Sequence, residues 1–318
     1  MEPKIKSVET VFNGYDIEIG WDITMHCNYS CSYCGSYDNS QPTYFKTIQE
    51  YEKAIDYMTK HFEYKTMRVT ILGGEPIIYK HWVDLANIIH DRGHIVKIYT
   101  NLSIKNPTLI KKIKTLKPKR CIFVSWHPQF ADVENISKNI DTLLKNDLLD
   151  SVTILSDKRY WYKVKEAIEL TKHVDSGLTH IKSEAEGKIA ITSGLDGYTE
   201  SELRYIENNQ PKHEYPYKTT INFFGGDKKL IRNGDDLIMK QLTNFKGMNC
   251  MIGSRNLFIK PNGDAYPSAC LYNYPKAIVG NIYKENLVKP KKGIKCPFSV
   301  CACGPDIRIN KYADVGVA

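Results

Sequence analysis

Residues 17–34 read IEIGWDITMHCNYSCSYC, and residues 66–76 read TMRVTILGGEP. Ile17–Met25 is strand-like and delivers the chain directly into Cys27, Cys31 and Cys34. Thr66–Leu72 is a second β-rich run, ending in Gly73-Gly74-Glu75-Pro76. Between them, Lys46–His61 carries Ile48, Tyr51, Ile55 and Met58 at helical spacing. Strand, helix, strand, with both unusual segments at strand ends, is the repeating unit of a parallel sheet. Such a sheet binds its ligands beyond the C-terminal ends of its strands.

The alternation continues outward from this unit. Trp82–Arg92 reads as a helix stopped by Gly93, and Ile95–Thr100 as a strand. Pro107–Leu116 is a helix opened by Asn106 and Pro107. Arg120–Ser125 (strand), Val133–Asn146 (helix), Ser151–Ser156 (strand), Tyr160–His173 (helix) and Leu178–Lys182 (strand) complete the series. Asn101 follows the third strand and Ser125–His127 the fourth, so the suspect residues gather at one end of the sheet. Residues 184–218 are rich in Gly, Glu, Asn and Pro and read as a connector with one helix near Tyr198–Asn208. Beyond Thr219, Asn256–Lys260 and Asp264–Tyr266 flank Pro261-Asn262-Gly263, a hairpin signal. The organisation expected is an N-terminal segment over 1–16, an α/β core over 17–183, the connector, and a smaller unit over 219–318.

Hydrophobic residues make up 42% and charged residues 25%, the balance of a globular chain. No apolar run approaches the roughly 20 residues of a membrane span, and the first residues lack the apolar core of a secretory signal. A cytoplasmic setting, without membrane partners, is therefore expected. The formal charge of +8 lies in scattered lysines such as Lys111, Lys112, Lys114, Lys117 and Lys119. A solvated helix face accounts for them, and without an interleaved aromatic motif nucleic acid is not an expected partner.

The nine cysteines fall in two groups around a lone Cys121: Cys27, Cys31 and Cys34, then Cys250, Cys270, Cys296, Cys301 and Cys303. In a reducing compartment this points to metal before disulfide. Three clustered thiolates without a near fourth can hold three irons of a cubane cluster and leave one iron open, as a catalytic site requires. The alternative is half of a zinc site completed from elsewhere in the chain.

At this point the sequence resembles a known family. Cys27-x3-Cys31-x2-Cys34, with the aromatic Tyr33 before the third cysteine, is similar to the signature of radical S-adenosylmethionine (radical SAM) enzymes. Gly73-Gly74-Glu75-Pro76 resembles that family's GGEP segment; Asn101 and Ser125 match polar positions at the ends of strands three and four. The resemblance implies a partial (β/α)6 TIM-like barrel, followed by a small α+β cysteine-rich C-terminal extension. It implies a 4Fe–4S cluster on the three cysteines, with S-adenosylmethionine on its open iron. Cofactor contacts would come from Tyr33, Gly73, Gly74, Glu75, Pro76, Asn101 and Ser125. A one-electron reductant such as flavodoxin or ferredoxin would drive cleavage to a 5′-deoxyadenosyl radical, which abstracts a hydrogen atom from a substrate.

The segment from Asn256 through Cys270 to Ile282 resembles the SPASM and twitch extensions of the same family, which hold an auxiliary 4Fe–4S cluster. Cys250, Cys270, Cys296, Cys301 and Cys303 compete for four places, so one is expected to be spare. A structural zinc site is the alternative there. His127 is the candidate proton carrier, with a satisfied rim histidine as the other reading. Glu184 and Glu186 are candidate bases or solvated loop residues, His26 a packing residue, and Cys121 a small buried hydrophobe. The substrate is expected to be a small molecule or a peptide. The short run before Cys27 leans toward the former, or toward a peptide presented by a partner. A non-enzymatic two-site zinc scaffold binding protein or RNA is the competing function, and it leaves GGEP at a strand end unexplained.

Overall fold

Ile5–Phe12 (β1) and Ile17–Asp22 (β2) are consecutive strands that part into different sheets. This is a computed structural model. It describes residues 4–34, 45–63, 65–181, 183–185, 189–191, 197–211, 215–272, 274–288, 293–301 and 303–314.

From β2 the chain runs Ile48–His61 (α1), Met67–Leu72 (β3), Trp82–Asp91 (α2), Ile95–Thr100 (β4), Asn106–Ile113 (α3) and Ile122–Trp126 (β5). It continues through Val133–Lys145 (α4), Leu149–Leu155 (β6), Trp161–Leu170 (α5) and Ser176–Thr179 (β7). Strands β2 to β7 lie side by side in chain order, and all five pairings are parallel. The expected elements are present, with the sixth strand two residues earlier than expected; Lys182 lies outside the described residues.

Each helix begins where its capping chemistry dictates. Thr47 and Glu50 form a reciprocal capping box at the start of α1, and Asp132 accepts from the Asn135 N–H at the start of α4. α1 then buries Tyr51, Ala54, Ile55 and Met58 against the sheet. The face of the sheet toward the helices is apolar: Ile17, Ile19 and Trp21 of β2, Met67, Val69 and Ile71 of β3, Val96 and Ile98 of β4. Alternation along each strand sends Glu18, Arg68, Lys97 and Tyr99 to the other face. There Arg68 lies 3.4 Å from the Glu18 carboxylate, and Arg308 from near the C-terminus donates to the same oxygen.

After β7 come a short ribbon of Ser183–Ala185 (β8) and Ile189–Ile191 (β9), then Glu200–Asn208 (α6). Tyr217–Phe223 (β10), Lys228–Ile231 (β11), Gly234–Met239 (α7) and Asn249–Cys250 (β12) follow. The hairpin is Asn256–Ile259 (β13) and Ala265–Tyr266 (β14). Ile294–Lys295 (β15), Gly304–Ile307 (α8) and Lys311–Tyr312 (β16) end the described chain.

Two pairings tie the C-terminal part to the core in ways the sequence did not announce. β13 pairs in parallel with β2, so the hairpin extends the main sheet to eight strands. β1 pairs with β10 and β16 in a second sheet ordered β11-β10-β1-β16-β12-β15. The residues expected to be a plain N-terminal segment thus include a strand inside that sheet. No helix among the described residues is long and apolar enough to cross a membrane.

Candidate active site

The cysteine loop leaves β2 and packs on the turn that leaves β3. Gly74 N–H donates to Thr24 O at 2.9 Å, and Glu75 N–H to His26 O at 2.9 Å. A side chain at either glycine would collide with this pairing: a Cβ at Gly73 would lie 2.2 Å from Thr24 O, one at Gly74 2.1 Å from His26 O. Gly73 also has φ +135°, which disfavours any other residue. Two glycines are thus required by the cysteine loop itself.

Glu75 is 1% exposed, at the C-terminal ends of the parallel strands. Its carboxylate accepts from Thr100 Oγ1 at 2.6 Å, Asn101 N–H at 2.6 Å and Ile77 N–H at 3.3 Å. Three donors against roughly four lone-pair sites leave capacity for one more. Burial outweighs these bonds and pushes the carboxyl up to about 7. Pro76 opens the 3-10 turn that Glu75 caps.

Cys27, Cys31 and Cys34 line a cleft of about 240 Å³ together with Gly73, Gly74, Glu75, Asn101, Ser125 and His127. Leu72, Tyr29, Tyr99 and Thr100 complete its wall. Burial pushes the Cys27 thiol up to about 12 and the Cys31 thiol up to about 11. Tyr29 N–H lies 3.4 Å and Asn101 Nδ2 3.7 Å from Cys27 Sγ. Asn101 Nδ2 also donates to Asn28 Oδ1 at 3.0 Å. The structure therefore brings to the cleft every cleft residue named from the sequence except Tyr33, which stacks on His127, and Pro76, which opens the turn after Glu75. Sequence reading missed Thr100, although it adjoins Asn101, and the ring wall of Tyr29 and Tyr99.

His127 faces the cysteine loop. Its Nδ1 lies 2.9 Å from Tyr33 OH and 3.5 Å from Cys31 Sγ, and the Tyr33 ring stacks on it at 11°. Burial pushes the imidazole down to about 4, so it is neutral near pH 7, with Tyr33 OH and Cys31 Sγ both within reach of Nδ1. His26 contributes its main-chain oxygen to the Glu75 pairing. Cys121 is fully buried in the main core. Glu184 lies on β8, and Glu186 lies outside the described residues.

The C-terminal cysteines meet in a second core. Cys250, Cys296 and Cys301 are buried in one cluster with Val8, Ile221, Leu237 and Phe245, and Cys270 packs against it. Cys303 stands apart in role, capping α8 through its main-chain oxygen. The Asp306 carboxylate accepts from Ala269 N–H at 3.1 Å and Cys270 N–H at 2.7 Å, fixing the turn that carries Cys270. Among the described residues no three Cys, His, Asp or Glu side chains converge as the ligands of one ion would.

The Radical SAM superfamily matches residues 21–174, the stretch from β2 to the end of α5 that carries this cleft. The chain is 24% identical over 177 residues to the AdoMet-dependent heme synthase of Methanosarcina barkeri (strain Fusaro / DSM 804), covering 51% of this chain and 49% of that protein. Among solved structures, SuiB of Streptococcus suis bound to its precursor peptide SuiA aligns with a TM-score of 0.57 at 14% identity, over 87% of this chain and 64% of that one. The enzyme anSMEcpe with bound AdoMet aligns with a TM-score of 0.52 at 12% identity, over 85% of this chain and 76% of that one. These structures share the fold. The chain spans about half the length of the heme synthase it matches. Residues 21–174 of this chain thus match a radical SAM domain.

Proposed function

We propose that the protein is a radical SAM enzyme that cleaves S-adenosylmethionine reductively and abstracts a hydrogen atom from its substrate. One observation carries the reading: three thiols and a buried, pre-oriented carboxylate face one cleft at the C-terminal ends of the parallel strands. Cys27, Cys31 and Cys34 would hold a 4Fe–4S cluster, and Glu75 with the main chain of Gly73 and Gly74 would receive the methionyl ammonium. Asn101 and Ser125 would take the remaining polar groups of the cofactor. When bound and reduced by one electron, this pair supplies the carbon radical that attacks an unactivated C–H bond.

The chain's own residues do the positioning. Thr100, Asn101 and Ile77 hold the Glu75 carboxylate in one orientation, so a cation in the cleft meets a fixed partner. Such a cation would also return the raised carboxyl to its ionised form. Tyr29 N–H and Asn101 Nδ2 reach the Cys27 sulfur, where hydrogen bonds tune a cluster's potential. Tyr33 stacks on His127 at the cleft wall and the two brace the cysteine loop, a role the neutral imidazole suits better than proton carriage. Leu72 and Tyr99 narrow the cleft against water.

Residues 17–183 are then the catalytic core and 184–218 a connector, with an auxiliary unit over 219–318 to which the β1 strand adds. We take Cys250, Cys270, Cys296 and Cys301, which pack around one core, as ligands of an auxiliary 4Fe–4S cluster. The substrate we propose is a peptide, supported by the likeness to SuiB in complex with its precursor peptide. Its electron would come from a small cytoplasmic carrier such as flavodoxin or ferredoxin. Anaerobically purified protein should contain about eight irons with matching sulfide and no stoichiometric zinc, and should form 5′-deoxyadenosine when reduced. A colourless protein holding zinc would overturn the proposal.

A further inference from the structure

A second cavity, of about 60 Å³, is lined by Arg68 on β3, Lys97 on β4, Arg120 and Phe123 at the start of β5, Asp150 on β6, and Tyr215 just before β10. Lys97 and Phe123 each precede a residue of the cleft wall, Tyr99 and Ser125, by two positions on the same strand. The cavity therefore lies toward the N-terminal ends of the strands. The Tyr99 and Phe123 rings, stacked 4.7 Å apart at 3°, stand between the two spaces.

The wall carries three cations and one carboxylate. Asp150 is taken by Lys97, whose ammonium lies 3.0 Å away and also donates to Arg120 O at 2.7 Å. Arg68 is 5% exposed, and the Glu18 oxygen it reaches at 3.4 Å is shared with Arg308. Arg68 Nε is buried and has no hydrogen-bond partner among the described residues. Arg120 stands exposed at the rim, and Asp147 meets it through the main chain, at 2.9 Å. Farther along the interior, Asp235 acts on Tyr215, but its carboxylate is engaged by Thr179 Oγ1 at 2.7 Å and His180 Nδ1 at 3.0 Å. A buried guanidinium N–H without an acceptor is costly, and guanidinium forks match the oxygens of a small anion.

We propose that this cavity binds a small oxyanion, of the size of inorganic phosphate or a short carboxylate, between Arg68, Lys97 and Arg120. Arg68 Nε and the Arg120 fork donate to its oxygens, while Lys97 neutralises Asp150 and so removes the repulsion that carboxylate would exert. Because Tyr215 leads into β10, the ion ties the parallel sheet to the C-terminal part.

The test titrates the full-length protein with inorganic phosphate, acetate and chloride at constant ionic strength, by calorimetry and by thermal unfolding. Phosphate or acetate should bind at one saturable site and raise the Tm, and chloride should do neither. The tighter of the two oxyanions identifies the source. Arg120→Asn removes the rim cation, and Asn tolerates the φ of +44° at this position. It should weaken oxyanion binding about tenfold, and Arg120→Lys should weaken it less. Arg68→Met should weaken it at least as much as Arg120→Asn. No saturable binding to wild type, equal stabilisation by chloride, or unchanged affinity in either folded variant would overturn the proposal. If Arg68→Met does not fold, Arg120→Asn alone decides.

Discussion

A Cβ at Gly74 would stand 2.1 Å from the main-chain oxygen of His26, the residue that precedes Cys27. The GGEP turn and the cysteine loop are therefore one packed unit, and neither moves without the other. Gly74→Val should displace the start of the cysteine loop as well as the cofactor site. The variant is expected to lose the iron of the first cluster, about half of the total, together with S-adenosylmethionine binding. Iron analysis of the purified variant checks this; full iron with weakened cofactor binding would mean the loop tolerates the side chain.

Asp22, at the end of β2, accepts a hydrogen bond from Tyr272 OH at 2.7 Å, yet burial pushes its carboxyl up to about 7. Between pH ~4 and ~7 the folded protein keeps a proton that the unfolded chain has released, so stability falls as pH rises through that window. The penalty is on the order of 4 kcal/mol at most. Asp22→Asn keeps an acceptor for Tyr272 and removes the penalty. Its stability relative to wild type should therefore be higher at pH 8 than at pH 5, by about 2–4 kcal/mol in urea unfolding. An equal difference at both pH values would place the carboxyl near its ordinary value.

Tyr33 and His127 should behave as a structural pair. Tyr33→Phe and His127→Phe are each expected to cost about 1 kcal/mol in the stability of the loaded loop. The double variant should cost less than the sum. With the imidazole neutral throughout, cleavage of S-adenosylmethionine should show no His127-dependent step between pH 6 and 8. A pH step lost in His127→Phe would restore the proton-carrier role.

The core of the fold was legible because β3 and β5 are short apolar runs and helices such as α1 carry clean caps and periodicity. The cleft was legible because its residues cluster at strand ends. Three things were not. β1 buries only Ser7, Val8 and Thr10, so its alternation carries little apolar signal. The parallel pairing of β13 with β2 joins residues far apart in sequence, which no local pattern encodes. The packing of Gly73 and Gly74 against Thr24 and His26 joins two separate loops, which no local pattern encodes.

Arg308 reaches from the C-terminal part to Glu18 on the inner face of β2, beneath the Tyr217 ring at 4.3 Å. Both charges are buried. Arg308→Met should strand the Glu18 carboxylate with only Arg68 and destabilise the protein by about 3–5 kcal/mol. Glu18→Gln combined with Arg308→Met should recover part of that loss. Equal stability of the single variant and wild type in denaturant titration would show that the pair does not join the two sheets.

The most direct measurement is the formation of 5′-deoxyadenosine by anaerobically reduced protein, compared between wild type and the variant with Cys27, Cys31 and Cys34 changed to Ala. Wild type should release 5′-deoxyadenosine and methionine, whereas the variant should release none while retaining about half of the iron. Unchanged cleavage in the variant, or no cleavage by fully loaded wild type, would contradict a catalytic cluster on these three cysteines.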